Sequence, residues 1–125
     1  MKLLLDSHAI WLWLTDSPKL PTAMKRMLIE NPAAVHISIV SYYEIGLKQQ
    51  RGRLPGHPLE MREALDADGF TELDVTAMHM VTASQLDWSH RDPWDRILAA
   101  QTIVEGCALV STDKAFDAIV NDRLW

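Results

Sequence analysis

The sequence predicts an α/β domain in three layers, with a central parallel sheet of four or five strands covered by helices on both faces. Three observations predict it. Short apolar runs alternate with helical stretches along the chain, the order expected of parallel strands joined by crossover helices. The first run, Leu3-Leu4-Leu5, is apolar at successive positions, as a strand buried on both faces must be. Acidic residues recur just after such runs or in the helix that follows: Asp6, Glu44, Asp95 and Asp113.

Length and composition set the frame for these elements. With 125 residues and 48% hydrophobic content the chain is expected to form one domain over residues 1–125. A single cysteine, Cys107, excludes an internal disulfide and suits a reducing cytoplasm; beside an apolar run it reads as a small core residue. The apolar run before Asp6 is too short for a signal peptide, and no stretch has the length of a membrane span. The net charge of −5 argues against broad, sequence-independent binding to nucleic acid, which needs a surplus of Lys and Arg. It does not exclude a nuclease, because carboxylates that hold metal make the loaded site locally positive.

The elements follow in order. A first strand covers residues 2–5 and a helix about 8–14, ended by Asp16-Ser17-Pro18. A second helix runs from about Thr22 to Ile29 and stops before Asn31-Pro32. Residues 35–40, rich in β-branched side chains, read as the second strand, and a helix from Ser41 to about Gln50 follows. Residues 51–58 are dense in Gly and Pro and form the clearest loop. A helix over 59–67 precedes a strand at 71–75, and Thr76 caps a helix reaching about Leu86. Asp92-Pro93 opens a strong helix that Gly106 closes. Residues 108–110 are the fourth strand, 114–120 a short helix, and 123–125 the candidate for a fifth strand at the edge.

Parallel α/β sheets gather the C-terminal ends of their strands along one edge, where ligands bind. Four carboxylates converging there would repel unless a cation neutralised them, and a hard divalent ion such as Mg2+ or Mn2+ prefers oxygen ligands. Each acid also has an ordinary structural reading. Asp6 and Asp113 can cap the helices that follow them. Ser41-Tyr42-Tyr43-Glu44 has capping-box spacing, and Lys48 can pair with Glu44 one turn on. Asp92 suffices to cap its helix, which leaves Asp95 in the first turn free for chemistry. The separate capping readings do not explain why all four acids share one placement.

Leu4-Leu5-Asp6-Ser7-His8-Ala9, Val40-Ser41-Tyr42-Tyr43-Glu44-Ile45, His90-Arg91-Asp92-Pro93-Trp94-Asp95-Arg96 and Leu109-Val110-Ser111-Thr112-Asp113 resemble the ordered motifs of PIN-domain proteins. The resemblance is nearest to the VapC-type toxins of prokaryotic toxin–antitoxin pairs and covers nearly the whole chain. It implies a PIN-like fold and a metal-dependent endoribonuclease. It further implies that Asp6, Glu44, Asp95 and Asp113 hold one or two Mg2+ or Mn2+ ions. The family's small polar residue near the last acid is matched by Ser111 or Thr112. Ser7 stands where Thr is common and Trp94 where Phe is common. Implied partners are RNA as substrate, a cognate antitoxin whose basic side chain replaces metal in the acidic crevice, and a second copy of the chain.

On that reading Lys48, Arg51, Arg53 and Arg96 are candidates to contact phosphates, each with solvated surface charge as its plain alternative. The five histidines contain no helical ligand pair and, with one Cys, do not suggest zinc. His8 and His90 flank the acidic motifs and are candidates to face substrate or support the acids. The tryptophans read as core or interface residues more readily than as base-stacking platforms, with Trp11 and Trp13 open to a partner surface. Two other classes remain: a PIN-like binding module whose acids are only caps, and a phosphotransferase using Asp6 as nucleophile. The latter wants a second Asp where this chain has His8.

Overall fold

The computed structural model describes all residues, 1–125. Its elements are β1 (Leu3–Leu5), α1 (Ser7–Leu14), α2 (Thr22–Glu30), β2 (Val35–Ser38), α3 (Ile39–Gln50), α4 (Pro58–Ala67), β3 (Thr71–Leu73), α5 (Ala77–Gln85), α6 (Pro93–Glu105), β4 (Ala108–Val110) and β5 (Arg123–Leu124). Two short 3-10 helices, Pro32–Ala34 and Lys114–Ala118, complete it. The five strands form one sheet in the order β3-β2-β1-β4-β5, and every pairing is parallel.

The alternation of side chains along β1 divides the core. Leu3 and Leu5 face one layer, where they meet Ile10 of α1, Leu28 of α2, Ile45 of α3 and Leu65 of α4. Leu4 faces the other, with Leu98 and Ala99 of α6, Leu109 and Phe116. Burying a leucine of this kind stabilises the fold by about 1.5–3 kcal/mol, so a strand of three leucines suits only the centre of a covered sheet. This is the expected three-layer arrangement, with five strands. Cys107 is 8% exposed against the second cluster, and burial pushes its thiol pKa up, in keeping with a core role.

Several boundaries differ from the sequence expectation. The first helix begins at Ser7, one residue early, and the third strand ends at Leu73. The segment at 114–120 is a 3-10 helix ending at Ala118. The largest difference is at α3. Its cap is Ser38, whose hydroxyl accepts the Val40 amide at 3.2 Å, so Ile39 and Val40 belong to the helix and not to the strand. The β-branched run read as strand because branching at Cβ favours extended backbone; a serine able to cap overrode that preference. Ser41 is therefore inside α3, and the capping-box reading of Glu44 fails.

The start of α6 follows the pattern expected. Asp92 accepts the amides of Trp94 at 2.9 Å and Asp95 at 3.3 Å, and Pro93 takes the first helical position, where its missing N–H costs nothing. Gly106 ends the helix with φ at 66°, a left-handed conformation that glycine adopts without strain.

Candidate active site

The parallel register puts the C-terminal ends of β1, β2 and β4 side by side, with Leu5 opposite Ile37 and Val110. Asp6 leaves the end of β1, its amide donating to the Val110 carbonyl at 3.1 Å. One of its carboxylate oxygens accepts the Ala9 amide at 2.7 Å and so caps α1. The cap engages Oδ1. Burial pushes the Asp6 carboxyl above the ordinary value of 3.8, and nearby Asp95 pushes the same way; the Ser111 hydroxyl, the Ala9 amide and His8 oppose them.

Glu44 lies in the second turn of α3. Its carboxyl is also raised, first by burial and then by Asp95 and Asp92, against the Ser7 hydroxyl and Lys48. Lys48 Nζ stands 3.9 Å from Glu44 Oε2, with both side chains partly exposed, so this ion pair is weak. Asp95 occupies the first turn of α6, where His90 Nε2 meets its Oδ2 at 2.7 Å. Burial raises the Asp95 carboxyl, His90 opposes the rise, and Asp92 and Asp113 add to it. Asp113 caps the 3-10 helix through the Ala115 amide at 3.0 Å, and its own amide donates to Ser111 Oγ at 3.0 Å.

Asp6 and Glu44 each feel the charge of Asp95, and Asp95 feels that of Asp113, which links the four acids through Asp95. Half-buried carboxylates raised by desolvation and by a neighbouring carboxylate, as Asp6, Glu44 and Asp95 are, concentrate negative charge. No three acidic, His or Cys side chains are close enough to hold an ion by themselves. The donor set, oxygen only and at least partly open to solvent, fits a hard divalent cation that keeps several waters. It does not make a closed cage of protein ligands.

The other expected contacts divide. Lys48 stands beside Glu44, and Arg51 and Arg53 are exposed in the turn after α3. Thr112 is exposed between Ser111 and Asp113, while Ser111 is fully buried with its hydroxyl facing Asp6. Arg96 departs from expectation. Its guanidinium donates to the Ala83 carbonyl from Nε and Nη2, to Leu86 from Nη2, and to Trp88 and His90 from Nη1, at 2.8–3.2 Å. A side chain so engaged holds the loop between α5 and α6 and has no donor left for phosphate. His8 stacks on the Trp125 ring, at 6.3 Å between centroids.

Three features went unread in the sequence: the Arg96 clamp, the Ser7 hydroxyl beside Glu44, and a Tyr43–Trp94 contact between α3 and α6; Ser111, read as the small polar residue near Asp113, also faces Asp6. A signal for the first was available, since the irregular stretch 86–91 carries carbonyls that need donors and Arg96 follows it closely. A cavity of about 320 Å3 lies elsewhere, lined by Tyr42, Arg62, Asp66, Phe70 and Glu72, and contains none of the four acids.

No curated protein sequence matches this one. Solved structures do. The chain is similar to a protein in the DNA-bound VapBC complex from Salmonella typhimurium, with a TM-score of 0.77 and 17% identity, covering 100% of this chain and 97% of that one. It is similar to one in VapBC2 from Rickettsia felis bound to a promoter DNA fragment, with a TM-score of 0.74 and 17% identity over 100% and 98%. A toxin–antitoxin complex from Klebsiella pneumoniae gives a TM-score of 0.69 and 16% identity over 99% and 97%. At such identities the likeness speaks for the fold. The family profile described as PIN domain matches residues 3–121. With that match over almost the whole sequence, the chain belongs to the PIN domain family.

Proposed function

We propose that this protein is a Mg2+- or Mn2+-dependent endoribonuclease, the toxin of a toxin–antitoxin pair, held in check by its antitoxin. The observation that carries the reading is that Asp95 stands close enough to Asp6, Glu44 and Asp113 to share their charge, beside the end of β1 where burial raises Asp6. Membership of the PIN family and likeness to proteins of VapBC complexes support it.

Asp6, Glu44, Asp95 and Asp113 would hold one or two ions. When bound, such an ion supplies Lewis acidity toward water and toward the scissile phosphate. The chain's own residues do the rest. His90 fixes one Asp95 oxygen and leaves the other for the ion, while the Ala9 amide does the same for Asp6. Arg96 holds the backbone from which His90 projects, through the His90 carbonyl. Lys48 and Thr112 stand at the crevice as candidate phosphate contacts, and Arg96 is withdrawn from that set.

The antitoxin is proposed to place an Arg or Lys among the acids in the position of the metal, since a guanidinium or ammonium relieves the same repulsion. A second copy of the chain is proposed to meet α5, where Met78 and Val81 are 61% and 60% exposed. No helix is long and apolar enough to cross a membrane. A cytoplasmic location is part of the proposal. The rival binding-module reading draws on the caps made by Asp6, Asp92 and Asp113 and on the absence of a ready ligand group.

Cleavage of RNA by the purified protein separates the two. Activity should need Mg2+ or Mn2+, vanish in excess EDTA, and be lost in Asp6→Asn and Asp95→Asn while both variants stay folded. Undiminished cleavage in EDTA would overturn the metal site, and a wild-type protein that cleaves no RNA would favour the binding module.

A further inference from the structure

The geometry points to Tyr43 and Trp94 as the side chains on which an unpaired nucleobase of the substrate stacks beside Glu44 and Asp95. The inference takes its substrate class from the nuclease reading above and adds how that site would choose among RNA segments.

Four of the five tryptophans have a packing role. Trp11, Trp13 and Trp125 lie against the larger core cluster, and Trp88 lies against the smaller one beside Phe116. Trp94 belongs to neither cluster. Its aromatic partner is Tyr43, at 5.1 Å between centroids with the planes at 81°. Tyr43 is itself 54% exposed, so burial does not explain an aromatic ring there. The pair is also placed for chemistry: Tyr43 immediately precedes Glu44, and Trp94 lies between Asp92 and Asp95.

An edge-to-face pair fixes the orientation of both rings while using at most one face of each. The face left open can receive a base, and stacking of this kind tolerates any base because every base has a π-face. From Tyr43 a groove continues along α3 past Gly46, Leu47 and Gln50 to His57. The turn that leaves α3 carries exposed Arg51 and Arg53, and Lys48 is half-exposed on the helix. Cations beside an aromatic platform are the usual equipment for tracking a single strand. A paired base presents no free face, so a duplex gains nothing from the platform.

The test has two arms, each run with Tyr43, Tyr43→Phe and Tyr43→Ala. In the first, RNA with one unpaired segment is cleaved in Mg2+. Tyr43→Ala should raise KM about tenfold with kcat little changed and cleavage within the unpaired segment weakened, while Tyr43→Phe stays near wild type. In the second, binding of a labelled single-stranded RNA and of its duplex is read by fluorescence anisotropy in an Asp6→Asn background, where Asn keeps the helix cap. Single-strand binding should weaken about tenfold in Tyr43→Ala, with duplex binding unchanged. Equal KM, or equal single-strand binding, for Tyr43 and Tyr43→Ala overturns the platform, as does binding of neither RNA. Tyr43-dependent single-strand binding by a protein that cleaves nothing would leave the platform standing and remove the nuclease.

Discussion

Arg96 is where sequence and structure make opposite predictions about one substitution. As a phosphate contact, Arg96→Met would leave the fold unchanged, weaken RNA binding, and reduce the dependence of log K on log salt by about one unit. As the clamp seen in the structure, it should cost stability. The guanidinium makes five hydrogen bonds to four carbonyls of the segment 83–90. Charge-assisted bonds contribute about 1.5–3 kcal/mol each, but the loop is partly exposed and water replaces some of them. A net loss of about 3–5 kcal/mol is expected, the range seen when a buried charged network is broken. Against a total stability of about 5–15 kcal/mol, that is a large fraction. For a chain of this length it lowers Tm by about 10–20 °C. Arg96→Lys should recover little, because an ammonium lacks the planar fork that reaches carbonyls on two sides. Thermal and urea unfolding followed by circular dichroism measure both variants. A Tm for Arg96→Met within about 2 °C of wild type, together with a reduced salt slope for RNA binding, would refute the clamp.

Four further outcomes follow from the structure. Burial and mutual repulsion raise Asp6, Glu44 and Asp95, so the folded chain holds protons that the unfolded chain has released above their ordinary values of 3.8 and 4.5. Stability of the metal-free protein should therefore fall as pH rises from those values through the raised ones, which unfolding in EDTA across that range measures; a rise in stability would contradict the cluster. Asp6→Asn keeps the cap and removes one charge, so it should stabilise the metal-free protein by about 0.5–2 kcal/mol. Mg2+ at about 100 times its Kd should stabilise the wild type by about 2.7 kcal/mol and Asp95→Asn by much less, read as a Tm shift without any activity assay. Ser38→Ala should cost about 1 kcal/mol through loss of the α3 cap, and a smaller loss than in Ser41→Ala would restore the boundary expected from sequence.

Much of this protein was legible without coordinates, for a local reason. Strand-like runs, Asp92-Pro93 and Gly106 act through backbone conformation and hydrogen bonds within a few residues, so their signals lie adjacent in the chain. Asp6 and Asp113 could be placed just past strands β1 and β4, and Glu44 and Asp95 in the opening turns of helices, because each position depends on elements adjacent in the chain. Where two local signals competed, the reading failed: β-branching at Ile39 and Val40 spoke for strand, and Ser38 decided for helix.

Contacts between separated segments belonged to the tertiary structure alone. The strand order around β1, the Ser111 hydroxyl facing Asp6 and the Ser7 hydroxyl facing Glu44 depend on which elements pack together. Arg96 could serve phosphate or backbone with the same five donors, and packing of α5 on α6 gave them to carbonyls. The sequence by itself determined the parallel α/β fold and put two acids just past strands and two in the early turns of helices. The tertiary structure decided what each shares its charge with, because burial and repulsion arise only when distant segments meet.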